Sequence, residues 1–172
     1  MTAELQAFEE IEQVSGGLQG AISADLLTYL NVYAKEHNLG TVFNADTEFE
    51  LPGIGRRKPD VAFASFQTVP EVTSDVVAVP PDLAVEVVSK TDQTEDIDVK
   101  ILEYQQAQVK LIWIVRTVKK VIEVYHANDS KPQVFDINDK LSGESVVPGF
   151  ELPVSKLFGI PNAKWRTPQT KR

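Results

Sequence analysis

The chain has 172 residues and a formal net charge of −8, with 42% hydrophobic and 24% charged residues. That composition is ordinary for a globular protein, long enough to bury one sizeable core, and fits a single domain over 1–172. No segment reaches the roughly 18 apolar residues of a membrane span, and the acidic start lacks a basic n-region, so neither a membrane partner nor a signal peptide is expected. Cysteine is absent, which removes disulfides and thiolate metal sites and favours a cytoplasmic setting.

The charge is unevenly placed. Residues 1–55 hold nine acids and one base, whereas residues 56–172 hold sixteen of each. The acidic N-terminal part reads as a solvated face.

Residues 3–14 carry Leu5, Phe8, Ile11 and Val14 at helical spacing, with Gly16-Gly17 as a break. Ser23 looks like the N-cap of a second helix, with Leu26, Leu27, Leu30 and Tyr33 on its apolar positions and Gly40 as a stop. A strand is expected over 41–51, a turn at Pro52-Gly53-Ile54-Gly55, and a second strand over 61–64. A loop fills 65–80. The run Leu83-Ala84-Val85-Glu86-Val87-Val88 has the pattern of a buried central strand. Thr91-Asp92 leads into a helix over about 95–108, with Ile97, Ile101 and Tyr104 on one face. Strands follow over 110–115 and 121–126, with a turn near 117–119. An edge strand over 133–137 comes next, then an extended stretch over 147–154 and one helical turn over 155–158. The core spans about 20–160, and a flexible tail is expected from Pro161 onward. The fold class is α/β (α+β), a mixed sheet flanked by helices with further β structure at the C-terminal end.

Two acids stand in apolar, β-branched surroundings, where a charge is costly without a partner. Asp60 lies in Arg57-Lys58-Pro59-Asp60-Val61-Ala62-Phe63, and Glu86 lies mid-strand with Asp82, Ala84 and Val88 on its face. The bland alternatives are a turn residue at Asp60 and a buried pair of Glu86 with an arginine of a neighbouring strand. Asp82, directly after Pro80-Pro81, reads as a strand-end residue. Lys100 and Tyr104 are four apart and share a helix face, which matters only if that face looks at the carboxylates. Two converging carboxylates with a lysine suit metal-assisted hydrolysis of a phosphodiester. His37 and His126 are in no zinc spacing, and no phosphate-cradling or nucleophile-elbow motif is present.

The order and spacing of these motifs resemble the PD-(D/E)XK nuclease superfamily, and more closely the Uma-type restriction endonuclease family. The resemblance rests on residues 57–63, 81–89 and 98–104, on Trp113-Ile114-Val115 and Val121–Tyr125, and on residues 147–152. It implies a restriction endonuclease-like fold and an endodeoxyribonuclease acting on DNA. Asp60, Glu86 and the backbone carbonyl of Val87 would bind Mg²⁺ (or Mn²⁺), with Asp60, Glu86 and Lys100 catalytic. Tyr104, Lys90 and Arg57 would contact substrate. The superfamily pattern would put the lysine where Val88 stands; the Uma-type pattern supplies it from the helix, as Lys100, with Lys90 as runner-up. Where the family often has a histidine before its first helix, this chain has Gln19. The alternative is a non-catalytic nuclease-fold protein acting as a dimeric interaction module. A homodimer through the hairpin over 111–125 is also expected, and a monomer in sedimentation would exclude it.

Overall fold

The computed structural model describes residues 3–73, 75–89 and 92–159, with side chains from Gly17 onward. The sequence-based expectations for Lys90 and for the tail fall outside those residues. The first helix, α1, runs unbroken over Ala3–Glu36. It is one helix rather than two. A Cβ at Gly17 or Gly20 would meet nothing within 4 Å, so these positions face open space and cost only helix propensity, about 1 kcal/mol each. Ser23 does not cap a helix start; its hydroxyl donates to the Gln19 carbonyl one turn back, 2.9 Å away.

The helix stop is also not Gly40. Asn38 takes the left-handed conformation (φ 53°), and Leu39 N–H closes onto Ala34 O at 2.9 Å. Gly40 has a different reason to be glycine. It opens β1 (Gly40–Asn44), and a Cβ there would lie 2.2 Å from the Ala64 carbonyl oxygen of the paired strand.

The expected strand over 41–51 is two strands, β1 and β2 (Glu48–Leu51), parted by a turn that the Asn44 side chain ties to Asp46 and Thr47. Then come β3 (Gly55–Arg57), β4 (Val61–Ser65), β5 (Val76–Val77) and β6 (Leu83–Val88). Helix α2 covers Thr94–Gln106. Strands β7 (Leu111–Arg116) and β8 (Val121–Tyr125) form the expected hairpin, with β9 (Gln133–Phe135) at its edge. The chain closes with β10 (Lys140–Ser142), β11 (Glu151–Pro153) and α3 (Ser155–Phe158).

Six strands build the central sheet in the order β1-β4-β6-β7-β8-β9. Only β6 and β7 run parallel in it, as α2 connects them; the other neighbours are antiparallel. A small sheet β3-β2-β5 and the pair β10-β11 lie beside it. Alternation along β6 assigns its two faces. Leu83, Val85 and Val87 pack with Ile22, Leu26 and Leu30 of α1, and the C-terminal Leu152, Val154 and Leu157 complete that layer. Ala84 and Val88 pack with Ile97, Ile101 and Tyr104 of α2. Glu86 shares their parity and so faces α2.

Candidate active site

The β4–β6 ladder places Val61 opposite Val85. One step further, antiparallel pairing sets Asp60 opposite Glu86 on the same sheet face. Where the ladder stops, the Asp60 side chain takes over from it: its Oδ2 accepts the Val87 N–H at 2.7 Å. Asp60 is therefore held by main chain on β6, a rigid mount for a carboxylate.

Glu86 is 3% exposed. Its Oε2 accepts from Lys100 Nζ at 2.8 Å, and its Oε1 accepts from the Tyr104 hydroxyl at 2.6 Å. Lys100 and Tyr104 stand one turn apart on α2, so the face they share does look at the carboxylates. Among the described residues no arginine forms an ion pair with Glu86. The arginine of the neighbouring strand β7, Arg116, donates instead to Glu123 Oε2 at 3.0 and 3.1 Å.

The electrostatics follow from burial. Burial raises the Asp60 pKa, and this outweighs its hydrogen bond from Val87 and the pull of Lys100. Burial likewise raises the Glu86 pKa, despite Lys100 and Tyr104, and the Asp60 charge adds to the rise. Burial works against charge on Lys100, but the Glu86 carboxylate beside it prevails and its pKa is raised. Lys100 thus remains an ammonium at neutral pH. Burial and the Glu86 charge push the Tyr104 phenol well above its ordinary value, so it stays a donor.

The Val87 carbonyl, on the opposite parity from Glu86, accepts a hydrogen bond from Gln19 Nε2 at 2.5 Å. Gln19 thus touches the main-chain oxygen that the motif comparison singled out as a metal ligand. Asp92 also belongs to the neighbourhood. Its Oδ2 accepts from Ser89 N–H at 2.6 Å and from Ser89 Oγ at 2.9 Å. The helix itself has Gln93 at its N-cap position without a side-chain cap.

Arg57 is close by but engaged. Its guanidinium forks onto Glu103 of α2, with Nε 2.6 Å from Oε2 and Nη2 paired to Oε1. Together with Asp92, Asp96 and Lys100, these two line an open cleft of about 520 Å³ beside α2. Tyr104 is fully buried with its hydroxyl on Glu86, so it faces the carboxylate and not the cleft. Asp82 sits at the other end of β6, where it accepts from Ser65 N–H (2.7 Å), Thr68 Oγ1 (2.9 Å) and Lys110 Nζ (2.7 Å). It is a strand-end anchor.

Among the described residues no three His, Cys, Asp or Glu side chains gather at one point. The donors on offer are the Asp60 and Glu86 carboxylates and the Val87 carbonyl, all hard oxygens. Among the described residues only Oδ2 of Asp60 accepts a hydrogen bond, leaving Oδ1 open. Such a set fits Mg²⁺ or Mn²⁺, which accept few protein oxygens and retain water.

Sequence reasoning gives neither Gln19 nor Asp92 a place in the site, although the family resemblance marks position 19 as one where a histidine often stands. Asp92 had a local signal, the Ser89-x-x-Asp92 spacing of a side-chain-closed turn. Gln19 had none from its own neighbourhood.

Comparison with known proteins bears on the family and the fold. The family model described as "Uma2: Putative restriction endonuclease" matches residues 2–155. No curated protein matches the chain. A solved structure titled as a "putative nuclease belonging to DUF820", from Anabaena variabilis, is similar in fold. It has a TM-score of 0.74 and 17% sequence identity, covering 82% of this chain and 80% of that one.

Proposed function

Because the chain belongs to the Uma2 family, we propose that it is a metal-dependent endodeoxyribonuclease that hydrolyses phosphodiester bonds of DNA. One observation carries this reading: Asp60, just before β4, stands opposite Glu86 of β6 on one sheet face, and Glu86 is tied to the Lys100 ammonium. Asp60, Glu86 and the Val87 carbonyl would hold a Mg²⁺ or Mn²⁺ ion, which supplies charge neutralisation at the scissile phosphate and an acidified water. Lys100, protonated, offers a positive charge to a phosphate oxygen and is not a proton acceptor. Tyr104 fixes the Glu86 carboxylate in place, and Val87 N–H does the same for Asp60. Gln19 orients the Val87 carbonyl from the opposite layer.

The test is incubation of the chain with DNA of varied sequence in Mg²⁺ or Mn²⁺, beside Asp60→Ala and Glu86→Ala. Cleavage by the wild type should fall by about 100-fold or more in each variant. Cleavage that survives both substitutions rules out this site.

A second reading, a module of the same fold that binds without cutting, draws on one feature. Both Glu86 oxygens and the Val87 carbonyl already have protein partners. Duplex binding without strand scission, across sequences and both metals, would favour it.

A further inference from the structure

A DNA substrate needs positive charge near the reaction centre, and most cations around this site are already neutralised. Arg56 pairs with Glu48 and Glu50, Arg57 with Glu103, and Lys58 with Glu48. Arg116 pairs with Glu123, and Lys100, tied to Glu86, belongs to the reaction centre itself and not to the surface around it. An arginine or lysine held by a carboxylate attracts phosphate weakly, since the pair is close to neutral beyond a few ångströms.

The turn from β7 to β8 differs. Because β6 and β7 are parallel, their carboxyl ends lie together at the Glu86 end of the sheet, with Val88 beside Arg116. Thr117 roots the turn there: its N–H and its Oγ1 both donate to the Val88 carbonyl, at 3.2 and 2.9 Å. Lys120, in the left-handed region at φ 54°, closes the turn through its N–H to Arg116 O at 2.9 Å. Between them the chain stands clear of the body. Val118 is 67% exposed, and Lys119 and Lys120 are exposed beside it. Neither lysine has an ion pair among the described residues. At about 3.3 Å per residue, Lys119 lies on the order of 15 Å from Glu86. That is a few phosphates along a strand whose charges repeat about every 3.4 Å of duplex axis.

We propose that the β7–β8 turn holds the phosphate backbone of duplex DNA beside the Asp60–Glu86 site through Lys119 and Lys120. The proposal rests on the endonuclease reading for its partner, and adds to it the surface that seats the duplex. It also accounts for how an acidic chain presents a locally positive approach. The excess acid lies in residues 1–55, and the two lysines extend from the charge-balanced part.

The test measures duplex affinity of the full chain against salt concentration in EDTA, so that binding is read without cleavage. Lys119→Ala/Lys120→Ala is compared with Lys35→Ala/Lys131→Ala. The control removes two lysines that also lack ion pairs among the described residues, at the end of the sheet away from Glu86. The slope of log affinity against log salt should fall by about 2 for the turn variant and stay unchanged for the control. Equal slopes for the two double variants, or no duplex binding by the wild type, overturn the proposal. Cleavage assays on the same proteins separate the two ideas. If binding depends on the turn but Mg²⁺ elicits no cutting, the surface stands and the endonuclease reading fails. If Asp60 and Glu86 are needed for cutting while the turn variant binds normally, the reverse holds.

Discussion

Tyr104 has no exposed surface, and its hydroxyl is one of two donors that keep the Glu86 carboxylate in place. Tyr104→Phe keeps the ring within the Ile97, Ile101 and Ile112 cluster and removes only the hydrogen bond. Hydrogen bonds to charged groups contribute about 1.5–3 kcal/mol, so chemical unfolding should show a loss of about that size. Cleavage should fall less than in Glu86→Ala, because Lys100 still holds the other oxygen. An unfolding midpoint equal to wild type would show that the hydroxyl does not hold Glu86. At this scale much of the site is readable in the chain itself. A lone acid inside Leu83–Val88 breaks the apolar pattern, and Lys100 and Tyr104 are related by helical spacing. Gln19 is different: its contact with Val87 crosses 68 positions and exists only once α1 packs on the sheet. Local pattern carries no trace of such a contact.

Elements with a clear period could be read, and those without one could not. The β6, β7 and β8 runs and the α2 face follow from alternation and helical spacing, and the turn near 117–119 from the break between two alternating runs. β3, β5 and β10 are two or three residues long, too short for any period, and are strands only because a partner strand lies beside them. One junction between elements has a pH dependence that can be argued. His126, just after β8, has Nδ1 2.5 Å from Asp129 Oδ2 and Nε2 2.8 Å from Glu144 Oε2. Glu144 follows β10, so the ring clips the hairpin β10–β11 to the central sheet. Both ring nitrogens face carboxylates, so both must donate and the imidazole is cationic. Its pKa is raised by the Asp129 hydrogen bond first and by Glu144 second. A folded-state pKa above the unfolded value of about 6.5 means the clip contributes fully below that pH and is lost as pH rises through the folded value. The gap in unfolding midpoint between wild type and Glu144→Gln should therefore narrow from about pH 6 to about pH 9. A gap that stays constant would show that Glu144 acts without the His126 charge.

On the scale of the whole molecule, the two ends of the sheet treat buried acids in opposite ways. Burial works against the Asp82 charge, but Lys110, Ser65 and Thr68 together overcome it and its pKa is lowered. Asp60 and Glu86 keep raised pKa values, so at neutral pH their ionised forms reduce the stability of the fold. On the metal-dependent reading proposed above, a cation bound between the two carboxylates would offset that cost. A ligand that binds only the folded chain stabilises it by mass action, about 2.7 kcal/mol at 100 times its Kd. For a chain of this size each kcal/mol moves the Tm by about 2–4 °C, so Mg²⁺ should raise it by about 5–10 °C. The net charge of −8 complicates the measurement, because any salt relieves self-repulsion among the N-terminal acids. Asp60→Asn resolves this, since it keeps the side chain's shape and removes one carboxylate from the site. It should melt higher than wild type without Mg²⁺, and respond to Mg²⁺ only as both proteins respond to NaCl of equal ionic strength. An equal Mg²⁺-specific rise in wild type and Asp60→Asn would mean the ion binds elsewhere, and the pairing of Asp60 with Glu86 would then have to be explained without a metal.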